Sequence, residues 1–230
     1  MSIAKPDPWI VCHASRRAAL GEEPIGYRLN RGINERPTNE RSRFSMNSDP
    51  YQRLSCRQIY KSVWLGVEAH GIVHPSGVPG EHVLITTPQS CGIVVQDRGD
   101  LLFTRQPRFA ARCDVIEIVK GGQHEAETAQ ECAKRELREE LGISARRWSD
   151  LGRLREIPSI VDPPVAIFLA RDLQFDAPEP AQEESISLVR LRIDDAFDAA
   201  LSGEIDDAVT IAALFRFARL RSQPPVRGKD

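Results

Sequence analysis

The stretch from Gly121 to Ile143 restricts what this chain can fold into more than any other. Its second half predicts a helix with both ends marked. Thr128 is followed three residues later by Glu131, a pairing in which each side chain satisfies an orphan amide of the first turn. Gly142 stands where a backbone turns left-handed to stop a helix. Between these ends Ala, Glu, Arg, Lys and Leu are strong helix formers. Ala129, Ala133, Leu137 and Leu141 recur every four residues and turn one apolar stripe toward a core. Glu136, Glu139 and Glu140 stand at i, i+3 and i+4, so their carboxylates converge on a different face.

Converging carboxylates repel one another, and left alone at least one takes up a proton. A hard divalent cation removes that conflict. Mg2+ prefers oxygen ligands, keeps some of its waters, and is commonly shared between carboxylates and substrate phosphates. Gly121-Gly122 allows a close backbone approach to this helix face, where a carbonyl just upstream can add a ligand. The competing explanation is a charged, solvated helix face, the usual meaning of a Glu-rich surface. The fixed spacing back to Gly121 and Glu127 argues against it.

Gly121, Glu127, Arg135, Glu136, Leu137, Glu139, Glu140, Gly142 and Ile143 fill a longer pattern without departure. It runs Gly, five residues, Glu, seven residues, then Arg-Glu-apolar-any-Glu-Glu-any-Gly-apolar. This resembles the Nudix box, the signature of hydrolases of nucleoside diphosphates linked to another moiety. The resemblance implies an α/β fold, the Nudix α/β/α sandwich with a mixed sheet. It also implies Mg2+, with Mn2+ as an alternative, on Glu136, Glu139, Glu140 and the backbone carbonyl of Lys120. Gly121, Glu127 and Gly142 would be structural in the motif, and Glu139 would count among the catalytic groups. Arg135 would orient Glu127 or a neighbouring glutamate through an ion pair.

Other segments resemble the ADP-ribose pyrophosphatase branch of that family: Trp64 by a first strand, a Pro-x-Gly turn, and Arg105-Gln106-Pro107-Arg108 ahead of the box. Pro107 departs from the aromatic residue usual there. Arg105 and Arg108 either bind a phosphate or pair with an acid. Glu117-Ile118-Val119-Lys120-Gly121 resembles the branch's Glu-Leu-Pro-Ala-Gly lead-in, with Val119 and Lys120 as departures. Glu117 would then be a substrate or structural contact. The Lys120 side chain either meets a phosphate or is a solvated surface charge. Pro158, fifteen residues past Ile143, looks like the proline of ADP-ribose hydrolases, although Ser159-Ile160-Val161 replaces the usual Ser-Pro-Gly. A loop carboxylate beyond the Pro-rich segment Gln174–Gln182 would act as catalytic base or extra metal ligand, and Glu183 and Glu184 both fit.

The reaction so implied is metal-assisted attack of water on a diphosphate, leaving two monophosphates. ADP-ribose, giving AMP and ribose 5-phosphate, is the leading substrate; other ADP-sugars and dinucleotides remain open. A non-catalytic ADP-ribose sensor is the rival from another class, but such proteins tend to carry a broken box and a DNA-binding domain. Relatives of this branch are usually homodimers with their N-terminal strands packed across the interface.

The rest of the chain reads as strands and two helices. Strand patterning covers residues 58–73 and His82–Thr87. Cys91–Gln96 and Leu101–Gln106 form a hairpin through a Gly-containing loop. Leu151–Arg155 and Ser185–Leu191 are further strands. Val165–Ala170 is a near-continuous apolar run, hence a strand buried on both faces. Asp194–Leu201 predicts a helix ended by Gly203, and a last amphipathic helix runs to about Leu220. The hydrolase domain is therefore expected over residues 56–220, followed by a polar tail at 221–230. Residues 1–50, rich in Arg, Asn, Pro, Glu and Ser, read as a disordered arm, and Met46 is the expected start of the functional product. A formal net charge of -2 gives no basic field for nucleic acid. No apolar run suits a membrane span, and no secretory signal pattern opens the chain. The five cysteines are odd in number, scattered and without a C-x-x-C pair, which argues for reduced thiols in the cytoplasm.

Overall fold

The computed structural model describes residues 49–176 and 185–222. The expected disordered arm, the polar tail beyond Ser222, and Glu183 and Glu184 lie outside the described residues. The elements run, in order, β1 (Gln52–Lys61), β2 (Gly66–Val73), β3 (Pro79–Thr86), β4 (Ser90–Asp97), β5 (Asp100–Arg108), β6 (Cys113–Glu117) and β7 (Val119–Gly122). Then follow α1 (Ala129–Leu141), β8 (Ile143–Leu154), β9 (Val161–Asp162), β10 (Val165–Phe175), β11 (Ser187–Arg192), α2 (Ile193–Ser202) and α3 (Ala208–Arg221).

The strands make two sheets. The N-terminal segments form an antiparallel meander ordered β1-β2-β3, to which β9 adds in parallel beside β3. The second sheet has the order β11-β5-β4-β10-β8, with β6 paired to β5 and β7 paired to β4. It is mixed, because β4 and β10 run parallel while β4–β5, β5–β11 and β8–β10 are antiparallel.

Side-chain alternation along the central strands divides the core in two. Val165, Ile167 and Leu169 of β10 point to one face, where they join Val94 and the inward residues of α2 and α3, including Ala196, Leu214 and Phe217. Ala166, Phe168 and Ala170 point to the other, with Ile93, Val95 and the α1 stripe of Cys132, Ala133, Leu137 and Leu141. A period of two in the strand therefore feeds two apolar clusters, and helices cover both faces. This is the expected α/β/α arrangement with a mixed sheet.

Several strands differ from the sequence reading: β1 begins earlier, at Gln52, and is separate from β2; β6, β7 and β9 are additional to those expected; and β8 starts earlier than expected. β8 begins at Ile143, directly after the helix, rather than at Leu151. Its first half alternates Ile143, Ala145 and Trp148 toward the α1-side cluster with Ser144, Arg146 and Arg147 outward. Few of these residues favour strand by propensity; the antiparallel ladder to β10, from Ile143↔Phe175 to Leu154↔Val165, holds the segment extended. Among the described residues no helix is long and apolar enough to cross a membrane.

Candidate active site

α1 is held at both ends by short-range contacts. The Thr128 hydroxyl accepts from the Glu131 amide, and the Glu131 carboxylate accepts from the Thr128 amide at 2.8 Å. Such a cap contributes about 1 kcal/mol. At the other end Gly142 adopts φ 63°, and its N–H donates to the Arg138 carbonyl at 2.9 Å. The helix is thus fixed in length and register before any ligand arrives.

Across from the helix, β7 is positioned by β4 through the pairs Cys91↔Gly121 and Gly92↔Lys120. That register brings the Gly121 backbone against α1. A Cβ placed on Gly121 would fall within the Glu136 carboxyl group. Gly121 is therefore required for space and not for an unusual φ, since its backbone lies outside the left-handed region. Gly122 has no such neighbour; its nearest atom would be the Pro88 Cβ at 4.0 Å.

Arg135 gathers the acidic residues. Its Nε and Nη2 fork onto the two oxygens of Glu127 at 2.8 and 3.1 Å. Its Nη1 donates to Glu136 Oε1 and to Glu139 Oε2, both at 2.8 Å, and Nη2 also reaches the Gly122 carbonyl at 2.8 Å. One guanidinium so ties the loop after β7 to the acidic face of the helix. The Arg135 hydrogen bonds hold the Glu127 carboxyl well below its ordinary value, down to about 2. In return Glu127, then Glu139 and Glu136, push the Arg135 guanidinium up. Glu127 also accepts from the His124 amide at 2.9 Å, so the carboxylate is fixed from both sides.

Glu140 lies one turn beyond Glu136 on the same helix and is only 8% exposed. The carbonyl of Lys120 belongs to the peptide joined to Gly121, beside the Glu136 carboxylate. The structure brings Glu136 and Glu139 together on Arg135 and sets Glu136 beside the Gly121 backbone, with Glu140 one turn further along the helix. Carboxylates and a backbone carbonyl are the donor chemistry of an oxygen-preferring divalent cation.

The Lys120 side chain takes part in a network that was not visible in the sequence. Its Nζ lies 2.7 Å from Glu117 Oε2 and 2.9 Å from Asp207 Oδ1. Glu117, 2% exposed, also receives Arg108, whose Nε donates to it at 2.7 Å. Lys120 is thus mostly covered and paired, so the solvated-surface alternative does not hold. Asp207 is the N-cap of α3 and accepts from the Thr210 amide at 2.8 Å. Burial pushes the Asp207 carboxyl up, but Lys120 and Thr210 outweigh it and the net shift is downward. The only local sign of Asp207 was its place before a helical run, and nothing local linked it to Lys120. Of the two candidate arginines, Arg108 pairs with Glu117, while the Arg105 side chain is exposed and its carbonyl accepts from the Ser187 hydroxyl. Pro158 opens a turn closed by Ile160 N–H to the Ile157 carbonyl, and His82 on β3 contacts the Ser159 carbonyl at 2.6 Å.

Comparison with known proteins agrees with this geometry. The family model described as NUDIX domain matches residues 86–220. The ADP-ribose pyrophosphatase of Bacillus subtilis (strain 168) is 24% identical over 172 residues, covering 74% of this chain and 93% of the relative. A solved structure described as an ADP compounds hydrolase superposes with a TM-score of 0.67 at 23% identity, covering 74% of this chain and 93% of its own. The match spans more than half the chain and contains the capped acidic helix, the Gly121 approach and the Arg135 cluster, so the chain belongs to the NUDIX domain family.

Proposed function

We propose that this protein hydrolyses the diphosphate bond of a nucleoside diphosphate linked to another moiety, with ADP-ribose the leading substrate. The observation that carries the reading is the clustering of Glu136 and Glu139 on one guanidinium, with Glu136 seated on Gly121. Glu136, Glu139, Glu140 and the Lys120 carbonyl would hold Mg2+, or Mn2+ in its place. When bound, such an ion neutralises phosphate oxygens and supplies Lewis acidity.

This chain's own residues do the rest. Arg135 holds Glu136 and Glu139 in their positions, and Glu127 keeps Arg135 in place, an outer shell that fixes ligand orientation. Among the described residues the exposed Arg105 side chain makes no ion pair and would approach a phosphate, whereas Arg108, Glu117 and Lys120 form a braced wall at β7. Glu183 or Glu184 would take the proton of the attacking water. Attack on one phosphorus displaces the bridging oxygen and leaves AMP and ribose 5-phosphate. The similarity to the B. subtilis ADP-ribose pyrophosphatase supports this choice of substrate. The test is product analysis with ADP-ribose, ADP-glucose, diadenosine polyphosphates and NADH in the presence of Mg2+. AMP release fastest from ADP-ribose is expected; no hydrolysis of any of the four would sink the reading.

The same reading includes a homodimer built on the N-terminal sheet. β1 is an edge strand with every residue exposed, and Leu54, Ile59, Tyr60 and Trp64 present apolar surface there. An edge of this kind invites pairing or cover by a second copy. Sedimentation velocity should give the mass of two chains, and a single-chain mass at micromolar concentration would contradict the dimer.

A further inference from the structure

A cluster of side chains of metal-ligating type lies on the N-terminal sheet, in elements separate from the acidic helix. Cys56 of β1 and His70 of β2 are directly paired in the antiparallel register, and Glu68 stands two residues from His70 on the same face. The Cys56 Sγ is 3.9 Å from His70 Nε2, which in turn is 2.9 Å from Glu68 Oε2. One ligand atom from each residue lies within 4.8 Å of the other two. Donors on a tetrahedral zinc ion, at bond lengths near 2.0–2.3 Å, are separated by roughly 3.3–3.7 Å. The three groups therefore need only small side-chain adjustments to share one ion. β-Bulges between Arg53 and Ser55 and between Gln58 and Tyr60 bracket Cys56, and bulges are a usual means of re-aiming strand side chains.

We infer that Cys56, Glu68 and His70 form a site for a single borderline-soft divalent cation of the zinc type, clipping β1 to β2. The donor chemistry is the opposite of the acidic helix: thiolate, imidazole and one carboxylate favour Zn2+ or Co2+, whereas an all-oxygen set favours Mg2+. Charge balances as well. The Cys56 thiol loses its proton to solvent on binding, and the thiolate and the Glu68 carboxylate then offset the two positive charges of the ion. Three protein ligands leave the fourth position for water. The clip has a mechanical purpose, since β1 is an edge strand with exposed side chains and is held among the described residues through its ladder to β2.

The test uses the full chain stripped of metal, with millimolar Mg2+ present to fill oxygen-only sites and a phosphine reductant. Titration with Co2+ should raise a thiolate-to-cobalt charge-transfer band that saturates at one ion per chain and is displaced by Zn2+. Cys56→Ser should abolish the band, His70→Ala should weaken binding at least about tenfold, and Glu140→Gln should leave it unchanged. Zn2+ should also slow amide exchange of residues 52–61 in the unmodified chain and not in Cys56→Ser. Cys56 is exposed, so the serine variant is expected to melt with the parent, and circular dichroism checks this. Absence of the band in the parent overturns the site, as does its survival in Cys56→Ser. A band without slower exchange in β1 overturns the clip.

Discussion

Glu140→Gln should lower kcat with ADP-ribose by at least about 100-fold while leaving the protein folded; losing a group that only orients a metal ligand already costs 10–100-fold. The substitution keeps volume and hydrogen-bonding capacity and removes one negative charge from a helix face shared with Glu136 and Glu139. Because Glu140 is only 8% exposed, an amide of nearly the same shape and volume preserves the packing around it. In metal-free buffer the variant should therefore melt close to the parent temperature. Mg2+ should separate the two, since a ligand that binds only the folded state adds about 2.7 kcal/mol at one hundred times its Kd. The parent gains that stabilisation and Glu140→Gln gains less. Calorimetric melts with and without Mg2+, beside the kinetics, separate a lost cation ligand from a damaged fold. Near-parent turnover, or an equal Mg2+ shift in both proteins, would contradict the assignment.

What the sequence made legible was what lies close along the chain. The capping box of Thr128 and Glu131 and the stop at Gly142 are contacts within three or four residues, and the helix ends fall there. The β4–β5 hairpin turns at Arg98-Gly99, and the apolar run at Val165 is buried on both faces because every residue of it is apolar. Helical periodicity set Glu136 and Glu139 within reach of Arg135, which donates to both, reaching Glu139 across a single turn. The remainder depended on contacts no local pattern encodes. Lys120 meets Asp207 from 87 positions away. His82 meets the Ser159 carbonyl across 77, which draws the loop after β8 onto the N-terminal sheet and supplies β9. The alternation in early β8 is diluted by adjacent arginines, so its strand state rests on pairing with β10. Cys56, Glu68 and His70 share no motif spacing and come together only through strand register. The five scattered cysteines, without a C-x-x-C pair, read only as reduced thiols for the same reason.

Gly121→Ala should cost about as much activity as losing a metal ligand, at least about 100-fold in kcat, with a small loss of stability. Alanine's backbone is tolerated at this position, because Gly121 does not use the left-handed region. The difficulty is the methyl group, which would occupy the place of the Glu136 carboxyl. Two adjustments can relieve the clash. Glu136 can swing its flexible end away, which breaks its contact with Arg135 at 2.8 Å and removes an oxygen donor from the acidic face. Alternatively β7 can retreat from α1, straining the Cys91↔Gly121 pairing inside a core where Cys91, Val119 and Cys132 are fully buried. Overpacking a core costs typically 1–3 kcal/mol, whereas rotating a glutamate end costs of order 1 kcal/mol, so the first adjustment wins. The damage should therefore appear in turnover and in Mg2+ binding more than in melting temperature. Gly122→Ala is the matched control: its methyl meets nothing closer than the Pro88 Cβ at 4.0 Å, and it should behave as the parent. Equal losses in the two alanine variants would mean that flexibility of the Gly-Gly pair, and not the seat of Glu136, is what the reaction needs.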